Sequence, residues 1–146
     1  MSNDNIKTLN KITKQLIDTR YGYSKGAEMV QEKPWLKQEF SQRAIEREGI
    51  VLDFQTKVRE LGAEAETDGT ATGYIAEGFA KFSSIFRDNA KAALSLIDDA
   101  EEKLADEIKD VLKDDALSPD VRSILTRAHF AAVKGERFAD RLEDAA

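Results

Sequence analysis

The sequence predicts an all-α fold of four long helices, arranged as two antiparallel hairpins that one long crossover with a short helix joins. Three observations predict it. Apolar residues recur at three- and four-residue spacing through most of the 146 residues. The chain's two prolines, Pro34 and Pro119, stand where proline starts a helix. One long stretch, "LGAEAETDGTATGYIAEGFAKFSSIFRDNAK", opens with glycine and threonine and only then regains periodicity.

The first helix is expected over 5–31, on the stripe Leu9, Ile12, Leu16, Tyr23 and Val30. The second, over 35–61, repeats it with Leu36, Phe40, Val51, Phe54, Val58 and Leu61 after Pro34. A third, about 90–114, carries Ala93, Ile97, Leu104, Ile108 and Val111. The fourth, 119–143, carries Val121, Ile124, Ala128, Ala132, Ala139 and Leu142, with Ser118 as N-cap and Pro119 at the first helical position. Short connections at 32–34 and 114–118 make each pair an antiparallel hairpin. The crossover between the pairs has Ile75, Phe79, Phe82 and Phe86 on one face, which predicts a short helix. This is the connectivity of a ferritin-like four-helix bundle with one long crossover, in a single domain over 1–146. A plain up-down-up-down bundle with a decorated loop is the alternative.

Composition limits the chemistry. With 41% hydrophobic and 34% charged residues the chain reads as globular. No cysteine is present, so disulfides, iron–sulfur clusters and thiol chemistry are excluded, leaving oxygen and imidazole as metal ligands. The start "MSNDNIKTLN" has no leader pattern and no apolar run approaches bilayer length, so a cytoplasmic location and no membrane partner are expected. A net charge of −6 argues against a nucleic-acid partner.

Helix phase, at about 100° per residue, then shows which polar groups turn inward. Arg20 falls between Leu16 and Tyr23, and Arg43 and Arg47 lie on the second stripe. Glu101 and Glu107 border the third, and His129 and Glu136 lie near the edge of the fourth. The expectation is a buried polar network of Arg20 and Arg47 facing Glu101 and Glu136 as ion pairs. A dinuclear carboxylate centre needs two Glu-x-x-His pairs. This chain has one histidine, His129, with Thr126 three residues before it. His129 is therefore expected as a flank residue, and no cofactor or metal is assigned.

Other features are weaker. Gly22 and Gly26 suggest close helix packing, and Ala128, Ala132, Gly135 and Ala139 form a smooth ridge suited to the crossover phenylalanines. Glu77, Asp98, Asp99, Asp106 and Asp110 read as a solvated acidic face. No phosphate loop, nucleophile elbow or Ser-His-Asp arrangement is present.

The segments "TLNKITKQLIDTRYGYSKGAE", "FSQRAIEREGIVLDFQTKVRELGAE" and "SPDVRSIL" resemble a bacterial ferritin-like family catalogued as a domain of unknown function. Gly22, Tyr23, Ala27, Glu28, Arg47, the "RELGAE" run and Ala100, Glu101 and Glu102 carry the likeness. The resemblance implies a ferritin-like four-helix fold, with stress- or metal-related roles by fold analogy. It also implies acidic residues near the position of Arg20 and a histidine near that of Glu136, and this chain has neither. Two functions stay open. One is a non-catalytic bundle acting through protein contacts or self-association, suggested by Trp35, Phe130 and Phe138, which the core cannot all take. The other is a metal-binding or redox protein using a reduced set such as Glu101, Glu136 and His129.

Overall fold

The structure, a computed structural model, describes residues 3–69 and 81–145. Five helices are present among them and no strand: α1 (Asn3–Met29), α2 (Pro34–Glu60), α3 (Phe82–Asp88), α4 (Ala90–Val111) and α5 (Pro119–Ala145). Pro34 occupies the first turn of α2, and Asn89 caps α4 by accepting from the Ala92 N–H at 3.1 Å. Ser118 stands at the N-cap of α5 as expected, with Pro119 the first helical residue and the Ser118 carbonyl accepting from the Arg122 N–H at 2.9 Å, but its hydroxyl does not accept from the helix. The Ser118 hydroxyl donates to Asp120 Oδ1 at 2.7 Å, and Asp120 accepts from the Val121 N–H. A carboxylate suits the positive end of the helix dipole better than a hydroxyl does.

α2 ends in a Schellman arrangement, with Gly62 N–H bonded to Arg59 O and Ala63 N–H to Val58 O. Gly62 has φ +86°, the left-handed region that glycine alone enters without penalty.

Cross-helix pairs fix the topology. Tyr23 bonds Glu101 and Gln15 bonds Glu107, so α1 and α4 run antiparallel. Glu46 pairs with Lys134, Asp53 with Arg127 and Lys57 with Asp120, so α2 and α5 do too. With α1/α2 and α4/α5 as hairpins, the end of α2 and the start of α4 lie at opposite ends of the helices. Only a long connection joins them. Its described part climbs along α1: Asn10 donates to Glu64 O and accepts from Glu66 N–H, and Gly69 lies against Asp18. A Cβ on Gly69 would collide with the Asp18 carboxylate, so this close approach needs glycine. Ile75, Glu77 and Phe79 lie outside the described residues.

α3 packs against α1 and α4, not along the small-residue ridge of α5 as the sequence suggested. Phe82 and Phe86 join an aromatic group, Phe86 meeting Phe40 edge-on at 6.4 Å and Phe40 meeting Phe138 at 5.3 Å. Gly26 makes room for it, since a Cβ there would stand 2.7 Å from the Phe40 ring.

The buried apolar residues form two groups. One holds Leu9 to Ile17, Ile50 to Val58, Leu104 to Ile108 and Val121 to Ala132; the other holds Tyr23 to Val30, Leu36, Phe40, Phe82, Ala93 to Ala100, Phe138 and Ala139. Between them lie Thr19, Arg47, Glu101 and Gly135, one from each long helix. The core has a polar waist.

Candidate functional site

Arg47 and Glu101 are 1% and 0% exposed, which their residue types accept only when paired. Arg47 Nη1 donates to Glu101 Oε1 at 2.8 Å and Nη2 to Oε2 at 2.7 Å, a bidentate pair that crosses the core from α2 to α4. Tyr23 of α1, also fully buried, donates its hydroxyl to Oε2 at 2.7 Å. Thr19 Oγ1 accepts from Arg47 Nη1 and donates to Leu16 O. Arg47 Nε has no protein acceptor.

α5 contributes an absence of atoms. A Cβ on Gly135 would collide with both Glu101 Oε2 and the Tyr23 hydroxyl. Glycine at this position lets the two polar groups meet against the helix backbone.

Electrostatics follow from this enclosure. Burial works against the charge of Arg47, but Glu101 beside it more than offsets that and holds the guanidinium above its usual range. Burial and then the Glu101 charge push the Tyr23 phenol well up, so it stays a neutral donor. Both Glu101 oxygens are engaged and its charge is neutralised. The group offers neither a free base nor an open metal ligand, and a guanidinium at this distance opposes a dication. The residues present do not fit a metal centre at the core.

The sequence placed four residues in this network, and the structure brings two of them together. Arg20 instead reaches outward to Glu48 on α2 at 2.5 Å, with its side chain 31% exposed. Its long stem carries the charge from the edge of the apolar stripe to solvent. Glu136 lies off the core, where its ligand atom and those of Asp98 and Glu102 fall within 4.8 Å of one another. Burial, then neighbouring carboxylates, raise the pKa values of Asp98 and Glu136 above the ordinary range. Those three are the one acidic or imidazole group of metal-capable spacing among the described residues. The set Glu101, Glu136 and His129 does not converge, and His129 is half-buried on the flank of α5.

Sequence reasoning missed Tyr23, Thr19 and Gly135 as members of the site. Tyr23 was legible, because a tyrosine on a core stripe needs a partner for its hydroxyl. Gly135 had a weaker signal, a glycine among alanines facing an inward glutamate. Arg43, predicted inward, lies 3.9 Å over the Phe138 ring and bonds Glu39 at 2.7 Å.

Fold and site define an all-helical protein whose central carboxylate is closed by arginine and tyrosine. The chain belongs to the family described as Domain of unknown function (DUF2383), whose model matches residues 4–114. That match ends before α5, the helix that supplies Gly135. No curated protein and no solved structure matches the chain. No helix among the described residues is long and apolar enough to cross a membrane.

Proposed function

We propose that the chain is a single ferritin-like four-helix domain in which an ion pair occupies the place where a metal centre would be built. It works without catalysis, in the cytoplasm, through protein contacts or self-association rather than with nucleic acid or membrane. The observation that carries this is the bidentate closure of Glu101 by Arg47, with the Tyr23 hydroxyl as a second donor to Oε2. Such a pair contributes little net stability against an apolar core but sets the register of helices that meet at one level. The antiparallel hairpins with one long connection support the ferritin-like assignment. Exposed Trp35 and Phe130, at 62% and 64%, support action through the surface.

Metal content tests it. Protein produced with added iron and manganese and then dialysed is expected to hold no stoichiometric metal. About one ion or more per chain, lost on Glu101→Gln substitution, would overturn the assignment.

A further inference from the structure

Four of the five exposed large apolar side chains among the described residues lie on two helices: Trp35, Ile45 and Leu52 on α2, and Phe130 on α5. Ile45 and Leu52 are two turns apart on the α2 surface, with Gly49 between them. A Cβ at Gly49 would meet only the end of Arg127, at 3.5 Å, so the surface there is a shallow notch. The pairs Glu46–Lys134 and Asp53–Arg127 set the level of α5 against α2 and place Phe130 beside that notch in height. Neither the described connector, which runs along α1, nor α3, on α1 and α4, covers this face.

Charge identifies the occupant. Along the seam, α2 carries Glu39, Glu46 and Asp53, and α5 carries Arg127, Lys134 and Arg141. Over this stretch the α2 row is acidic, apart from Arg43, which bonds Glu39, and the α5 row is basic. Beyond Asp53 and Arg127, Lys57 on α2 and Asp120 on α5 reverse the signs and stay complementary at one height. A two-fold axis parallel to the seam lays α2 of one copy on α5 of the other at the same height. Each acidic row then meets a basic row, as an isologous interface requires. The opposite seam, with Asp98, Glu102 and Glu136, would set like charges together.

We infer that a second copy of this chain docks on the α2/α5 face, with Phe130 of each copy seated over Gly49 between Ile45 and Leu52 of the other. At the end of the same seam, Trp35 of one copy lies over the cleft of about 330 Å³ that Phe138, Arg141 and Leu142 of the other help line. Buried aromatic anchors of this kind dominate interface energetics. This rests on the self-association arm of the proposed function.

Because the chain has no cysteine, the register can be tested by disulfide formation. Gly49→Cys and Phe130→Cys proteins are mixed and oxidised, alongside each alone, and wild type and Phe130→Glu are compared by sedimentation velocity over a concentration series. The expected result is a covalent dimer in the mixture and not in either protein alone, a wild-type dimer, and loss of that dimer in Phe130→Glu. A dimer without the cross-link would overturn this face while leaving self-association standing. A monomer at every concentration would overturn the inference, and metal content would then decide the proposed function separately.

Discussion

Replacing Gly135 by alanine isolates the closest contact in the core. The added methyl would overlap Glu101 Oε2 and the Tyr23 hydroxyl, both buried and both held by other bonds, so neither can swing to solvent. Losing the Arg47–Glu101 geometry altogether costs about 3–5 kcal/mol, as for a buried pair that is broken. Alanine recovers about 1 kcal/mol of helix propensity. The net expectation is a destabilisation of roughly 2–4 kcal/mol, or roughly 4–16 °C in Tm for a chain of this length. Gly49→Ala is the control, another mid-helix glycine whose Cβ would meet only a flexible arginine end. It should stabilise by up to about 1 kcal/mol. Urea unfolding at low protein concentration, with matched slopes, gives both values. A Gly135→Ala protein within about 0.5 kcal/mol of wild type, or more stable, would refute the cradle.

Two further outcomes follow from the acidic seam and from His129. Asp98, Glu136 and Glu143 have pKa values raised in the folded state, so the folded chain binds these protons more tightly than the unfolded chain does. Stability should therefore rise as pH falls from neutrality toward their ordinary values of 3.8 and 4.5. Asp120 works in the opposite sense: Lys57 holds its pKa at about 2, and what it contributes is lost as pH falls from 3.8 to that value. A Tm maximum on the acidic side of neutrality at low salt, flattened by added salt, is expected, and a Tm that falls steadily from pH 7 downward would contradict it. His129→Gln should change stability by no more than about 0.5 kcal/mol, because the flank position has few obligatory contacts; chemical denaturation checks this.

Helix number, the proline starts and the long connection were legible because periodicity and breakers are local signals. Inward polar placement was legible only where phase was decisive. Arg47 sits in mid-stripe, and its side chain had nowhere to go but the core. Arg20 is nearly as well phased, but a long side chain near the stripe's edge chooses its partner by reach, and Glu48 on the neighbouring helix is closer than the centre. Glu136 failed for the opposite reason: a third of a turn decides between core and seam, and the α4 partner that defines the seam is 34–38 residues away in sequence. Gly135 could be read as a smooth ridge residue until the facing atoms were known. The outward Ile45 and Leu52 went unnoticed because Val51 and Phe54 supply a complete stripe without them.

The central claim, that Glu101 is the buried counter-ion of Arg47 and nothing else, is tested most directly by a double-mutant cycle of Arg47→Met and Glu101→Leu. Each single change strands an uncompensated charge and should cost about 3–5 kcal/mol. The double change removes both charges and leaves the hydroxyls of Tyr23 and Thr19 short of one partner each, so it should cost less than the larger single, with a coupling energy of about 2 kcal/mol or more. Costs that simply add, or a Glu101→Leu protein as stable as wild type, would contradict the account.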